Sequence, residues 1–156
     1  MIAIRPYFDS DAEALAEVFE RAVRGIGPRD YSPAQIEAWI GREPRTERFR
    51  AKMADGRRRW VATDDEGRVT AFVDLEADGH IDFLFADPDV AGTGVASRLL
   101  DELEAAARGD GVARLYVEAS EAARRFFLKR GYEAQKRRDF EIGGVAIHNY
   151  AMERRP

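Results

Sequence analysis

The chain has 156 residues, 45% of them hydrophobic and 35% charged, with a net charge of −4, which fits one domain spanning residues 1–156 and able to bury its own core. It has no cysteine and only two histidines, His80 and His148, far apart in sequence, which excludes disulfides, thiolate catalysis and Cys-ligated metals and argues against any metal site. No basic stripe points to nucleic acid, no apolar run reaches the length of a membrane span, and "MIAIRPYFDSD" lacks a signal-peptide apolar region, so a cytoplasmic protein is expected.

The pattern changes period several times along the chain. "IAIRP" (Ile2–Pro6) alternates like a short strand. Ser10 and Glu13 have capping-box spacing, and Ala14, Leu15, Val18, Phe19 and Ala22 follow at helical intervals up to Gly25 and Gly27-Pro28. Ser32-Pro33-Ala34-Gln35 starts a second helix with an apolar stripe of Ile36, Trp39 and Ile40. The charged segment "GREPRTERFRAKMADG" predicts a third short helix packing through Phe49 and Met53. "RRWVATD", "RVTAFVDLEAD" and "HIDFLFAD" then read as strands joined by tight polar turns, an antiparallel meander.

After Asp87-Pro88 comes a turn with Gly92 and Gly94, then a helix over Val95–Ala107 burying Leu99, Leu100, Leu103 and Ala106. "VARLYVEA" is the next strand, and "SEAARRFFLKRG" a helix capped by Ser120 and stopped by Gly131. "YEAQKRRDFEI" and "VAIHNYAME" close the chain as a hairpin across Gly143-Gly144. The whole predicts an α/β fold with a mixed, mostly antiparallel sheet of about seven strands flanked by helices.

The glycine turn is where chemistry is expected. Glycines at a strand-to-helix turn let backbone N–H groups approach an anion that the helix N-terminus favours, which suggests a bound phosphate. Gly92, Gly94 and Ser97 nearly spell a dinucleotide fingerprint, with Glu118 ending the next strand. A preceding antiparallel meander and a single following strand–helix–strand unit argue against a nicotinamide-binding domain.

The order of elements and the stretch "FLFADPDVAGTGVASRLLDELEAAARGDGVARLYVEASEAARRFFLKRGY" resemble the GNAT superfamily of acyl-CoA-dependent N-acyltransferases. The family's Arg/Gln-x-x-Gly-x-Gly/Ala signature falls on Ala91-Gly92-Thr93-Gly94-Val95-Ala96, departing only at Ala91, and its "A…(F/Y)…GF" ending on Ala123, Phe127, Gly131 and Tyr132. "DYSPAQIEAW" and "HNYAME" resemble a bacterial branch whose substrates are mostly undefined.

The resemblance implies a sheet splayed at the cofactor site, with the pantetheine arm of acetyl-CoA or coenzyme A along Leu84, Phe85 and Ala86. The pyrophosphate would lie on N–H groups from Ala91 to Ser97, with Ser120 and Phe127 also on the cofactor side. It implies no metal, a small-molecule or peptide amine as acceptor, and leaves a homodimer open. Asp82 or Glu118 would serve as general base. The residue that reprotonates the thiolate in many relatives is a tyrosine, but that position is Phe127 here, which leaves water, Tyr116 or Tyr132. Tyr31, Trp39 and one of His148 and Asn149 are expected on the acceptor side, with Trp39 otherwise a core residue. Arg57-Arg58-Arg59 reads as a solvated lead-in to a strand, or else as a contact for the CoA 3′-phosphate. The expected function is acetyl transfer to a primary amine, with a non-catalytic acyl-CoA-binding module as the alternative.

Overall fold

Helical and strand periods alternate along the chain, and each amphipathic segment buries its apolar stripe against one central sheet. The computed structural model describes residues 1–41 and 45–156; the first part of the segment expected to form the third helix, residues 42–44, lies outside the described residues. The strands are β1 (Ala3–Pro6), β2 (Arg58–Thr63), β3 (Val69–Leu75), β4 (His80–Ala86), β5 (Leu115–Ala119), β6 (Glu133–Ile142) and β7 (Val145–Arg154). The helices are α1 (Ala12–Ile26), α2 (Pro33–Ile40), α3 (Arg45–Lys52), α4 (Val95–Gly109) and α5 (Glu121–Lys129). The strands form one seven-stranded sheet in the order β1-β2-β3-β4-β5-β7-β6. Every pair is antiparallel except β4 with β5.

Two cores flank the sheet. On one face Leu99, Leu100 and Leu103 of α4 pack with Val73, Ile81, Leu115 and Val117. On the other, Leu15, Val18 and Phe19 of α1 pack with Phe49, Val61 and Phe72. Each such fully buried side chain stabilises by roughly 1.5–3 kcal/mol. β2 and β3 are covered on both faces, which is why they read as nearly continuous apolar runs rather than clean alternations.

Local signals are met at most boundaries. Ser32 caps α2, its Oγ accepting from the Gln35 N–H at 3.2 Å while Gln35 Oε1 accepts from the Ser32 N–H at 2.9 Å. The β6–β7 hairpin turns on Gly143 and Gly144, at φ 55° and 83°. The Ser10–Glu13 cap does not form. A short 3₁₀ turn over Asp9–Asp11 precedes α1, and Asp11 instead accepts from the Phe8 N–H at 2.8 Å and pairs with Arg5. A carboxylate that is salt-bridged as well as hydrogen-bonded outcompetes the hydroxyl of Ser10.

Candidate active site

The site is organised by a bulge in β4. Val73 pairs with Leu84 and Leu75 with Ile81, so Asp74 alone on β3 faces both Asp82 and Phe83. Ile81 and Leu84, three residues apart, consequently pack on the same side, toward α4. Phe83 and Phe85 turn toward α1. A bulge bends the strand and increases its twist. The partner edge responds: β4 pairs with β5 only at His80–Tyr116 and Ile81–Val117, after which the two parallel strands part. The β5-facing backbone edge of Leu84, Phe85 and Ala86 is left without a strand partner.

A buried ionic cluster pins that bulge. Arg59 grips Asp74 through two bonds of 2.9 and 2.8 Å, both side chains being fully buried. Arg57 donates to Asp74 at 3.0 Å and to Asp82 at 2.7 Å, tying the lone β3 residue to the bulged strand. The expectation of a solvated arginine run fails for two of the three: Arg57 and Arg59 are buried, because the neighbouring carboxylates of Asp55, Asp74, Glu76 and Asp82 compensate their charge. Asp82 is a paired group rather than a free strand acid, with Lys52 Nζ also at 3.6 Å.

Two connected chambers occupy the gap. The larger, about 600 Å³, runs from the glycine turn along Leu84, Phe85 and Ala86 to Trp39, with Ser120 and Ala123 opposite. Gly92 and Gly94 sit at φ 78° and 83°, and a Cβ on either would meet nothing within 4 Å. They are required by the left-handed backbone, and the space before them is open. Gly94 leads into α4 without a side-chain cap. Among the described residues, the N–H groups of Gly92, Gly94, Val95, Ala96 and Ser97 have no backbone acceptor, which makes a cradle for an anion. Thr93 instead folds back, its N–H and hydroxyl both donating to the Val90 carbonyl. Ala91 also lines the chamber, and Arg29, Arg125 and Lys129 give its mouth a basic rim.

The smaller chamber, about 170 Å³, shares Tyr31, Trp39, Leu84, Phe85, Ser120 and Ala123 with the larger one and adds Asp82, Glu118, Phe127, His148 and Asn149. Trp39 is thus only partly buried and borders both chambers, against Tyr31 at 5.5 Å and Phe85 at 6.3 Å, instead of sitting in the core. The Tyr31 hydroxyl donates to the His148 carbonyl at 3.0 Å and accepts from the Glu121 N–H at 3.1 Å, clamping α5 to β7. His148 and Asn149 both reach the chamber, where alternation along a strand predicts only one. The reason is that β7 continues past the end of β5, so its free edge, rather than one face, borders the space. Asn149 is held by Arg138 at 3.0 Å, and His148 donates to Glu121 at 2.7 Å.

Glu118 stands at the fork. Leu115, Val117 and Ala119 pack toward α4, so alternation turns Tyr116 and Glu118 toward the α1 side. There His80 Nε2 lies 2.9 Å from Glu118 Oε1, its Nδ1 is bonded to Glu76, and its ring stacks on Tyr116 at 4.8 Å. Burial pushes the imidazole pKa down, but the hydrogen bonds to Glu118 and Glu76 outweigh it and hold the value up at about 9. His80 is therefore an imidazolium at neutral pH, donating to Glu118. Sequence reasoning missed this partner because the two residues lie 38 positions apart.

Tyr132 is not brought to the gap. It is buried beneath Phe127, ring to ring at 4.8 Å, and its hydroxyl donates to Glu104 at 3.0 Å. Tyr116 is likewise committed, to Asp78. Among the described residues, no cluster of three or more His, Asp or Glu could hold a metal ion, and no helix is long and apolar enough to cross a membrane.

A sheet parted between its two parallel strands beside a glycine turn is what the resemblance implies, and comparison with known proteins agrees. A family model for the acetyltransferase (GNAT) domain matches residues 28–154. The uncharacterized N-acetyltransferase YafP of Escherichia coli (strain K12) is 34% identical over 155 residues, covering 99% of this chain and 97% of that protein. A GCN5-related N-acetyltransferase from Rhodopseudomonas palustris superposes with a TM-score of 0.91 at 35% identity, over 99% of this chain and 95% of its own. The PaiA N-acetyltransferase from Thermoplasma acidophilum, solved in complex with coenzyme A, shares the fold at a TM-score of 0.80 and 20% identity, covering 100% and 99% of the two chains. The chain belongs to the GNAT superfamily. Within it the protein is an N-acetyltransferase, which disfavours both a non-catalytic module and a nicotinamide-binding enzyme.

Proposed function

We propose that the protein moves an acetyl group from acetyl-CoA directly to a primary amine of a small molecule or peptide. The observation that carries this reading is that the two chambers share Leu84 and Phe85 of the parted β4 edge as lining. One end offers unpaired amides suited to a pyrophosphate, and the other a carboxylate suited to an amine. The residues fit coenzyme A on their own terms: the amides of Gly92 and of Gly94 to Ser97 would hold its phosphates, and the free edge of Leu84 to Ala86 its pantetheine arm. Bound there, acetyl-CoA supplies an activated thioester.

The chain's own groups then carry the proton traffic. Glu118 takes a proton from the acceptor ammonium, steadied by the His80 imidazolium. The neutral amine forms its bond to the acyl carbon while an N–H of β4 near Phe85 or Ala86 donates to the oxyanion. The carbon–sulfur bond then breaks. Phe127 has no proton to give, and Tyr132 is committed to Glu104, so water carries the second proton, shed by the acylated nitrogen, to the thiolate. Asp82, paired with Arg57 and Lys52, adds negative potential beside the amine.

The test is to incubate the protein with acetyl-CoA and a panel of amines and follow free thiol. Thiol release is expected together with a rise in melting temperature on adding CoA, since a ligand bound only by the native state stabilises it. Release with no amine, or a shift produced by NAD and not by CoA, would overturn the proposal.

A further inference from the structure

The smaller chamber has a shape and charge that select among amines, and the argument here rests on the function just proposed. Its volume is about 170 Å³; an apolar cavity of about 150 Å³ holds a benzene molecule. One ring with a short arm fits, and little more. The walls are aromatic: Phe85 meets Phe19 edge-on at 4.9 Å and Trp39 at 6.3 Å, and Phe140 and Ile147 close the β6–β7 side. The floor carries two carboxylates whose cations are already engaged, Asp82 with Arg57 and Lys52, and Glu118 with His80. The bulge in β4 and the alternation of β5 turn Asp82 and Glu118 toward the same side of the sheet, and both line the chamber.

Arg45 is the one arginine lining the chamber among the described residues, and it is turned to other work. Its guanidinium donates to the carbonyls of Trp39 at 2.9 Å and Ile40 at 2.8 Å and lies over the Phe19 ring at 4.1 Å from the centroid. His148 points its Nε2 to Glu121. The chamber thus combines ring walls with two carboxylates, and among the described residues the cations beside it, Arg45, Lys52, Arg57 and His80, are all bonded to other groups.

We infer that the acceptor is a small arylalkyl primary amine that carries no carboxylate. Its ammonium is drawn to Asp82 and Glu118, and its ring fills the space between Trp39, Phe85 and Phe140. Glu118 accepts one ammonium proton, the nitrogen bonds the acetyl carbon as the thioester carbon–sulfur bond breaks, and the second proton shed by the acylated nitrogen passes through water to the thiolate, giving an N-acetyl amide and the free thiol of CoA. A free amino acid brings a carboxylate to a chamber whose neighbouring cations already hold Asp82 and Glu118. A polyamine leaves a second charge among the aromatic walls without a partner. A peptide N-terminus places only its first residue in the chamber and leaves the rest of its chain outside the aromatic walls.

The experiment measures thiol release by the intact protein at saturating acetyl-CoA with phenethylamine, phenylalanine, spermidine and a tetrapeptide. The expected kcat/KM for phenethylamine exceeds each of the others by about tenfold or more. Equal or better turnover of phenylalanine, spermidine or the tetrapeptide, or thiol release only with other amines, overturns the inference and leaves the proposed function standing; no thiol release with any of these or with a wider panel of amines overturns both. A second variant reads the chamber itself. Phe140→Ala enlarges it at a partly exposed wall, so the preference for naphthylethylamine over phenethylamine should rise roughly fivefold. An unchanged preference would show that the ring is held elsewhere.

Discussion

At the turn end of the gap, the groups offered to a ligand are backbone amides set by two left-handed glycines and a helix start, all within six consecutive residues. At the acceptor end they are side chains brought from β4 to β7 and four helices, several held by a partner far away in sequence: Asp82 by Arg57, Glu118 by His80, Tyr31 by His148. The turn presents a generic anion cradle that depends on conformation alone. The chamber presents an individual arrangement that depends on which side chains meet. Damage at the turn should therefore weaken cofactor binding and leave acceptor choice intact, whereas damage at the chamber should do the reverse.

The largest separation is expected from Glu118→Gln. Losing the general base should lower kcat by about 10²–10⁴-fold, while CoA affinity measured by calorimetry stays within roughly twofold, because the phosphate cradle is untouched. If Asp82→Asn is the more damaging of the two, the base is Asp82 and the ion cluster around Arg57 belongs to the chemistry. Gly94→Val strikes the other end. A β-branched side chain at φ 83° strains the turn and fills the open space in front of the amides, so CoA binding should weaken at least about tenfold. The ranking of acceptors should not move. A changed ranking would mean that the two ends are not separable.

His80 gives a smaller, pH-dependent contrast. Its pKa in the folded protein, about 9, lies above its ordinary 6.5, so its contribution to stability is full below pH 6.5 and is lost as pH rises through about 9. The stability gap between the native chain and His80→Gln, measured by urea unfolding, should be widest near pH 6 and shrink toward pH 10. In the Glu118→Gln variant that closure should move to lower pH. A gap that widens with pH would contradict an imidazolium held between Glu76 and Glu118. The smallest effect belongs to Phe127→Tyr. A phenol there adds an acid to a reaction that already runs on water, so the gain in kcat should be no more than about two- to tenfold. Tyr132→Phe should leave kcat nearly unchanged, since that hydroxyl is bound to Glu104.

The same contrast explains what the sequence discloses. The helices, the hairpin at Gly143-Gly144, the cap at Ser32 and the glycine turn are legible because their causes lie within a few residues of one another. The splay of β4 from β5 is implied by the resemblance, but its physical agent is not legible: a bulge opposite Asp74, fixed by Arg57 reaching both Asp74 and Asp82. Nothing in the spacing of "RRR" distinguishes a solvated run from one folded around a buried aspartate. His80 looks like an isolated histidine until the parallel pairing with Tyr116 sets it beside Glu118. Trp39 and Asn149 were assignable to the acceptor side in outline, yet the chamber they border depends on β7 overrunning β5 by several residues.

The central claim is that the parted edge of β4 and β5 is where an acyl-CoA lies, with its acyl end facing Glu118. A crystal structure of the protein with coenzyme A tests this most directly. The account predicts pyrophosphate density against the amides of Gly92 and of Gly94 to Ser97, and a pantetheine arm along Leu84 to Ala86 that ends near the boundary with the smaller chamber. Coenzyme A bound outside that gap, or a gap closed by regular pairing of β4 with β5 beyond Ile81 and Val117, would contradict it.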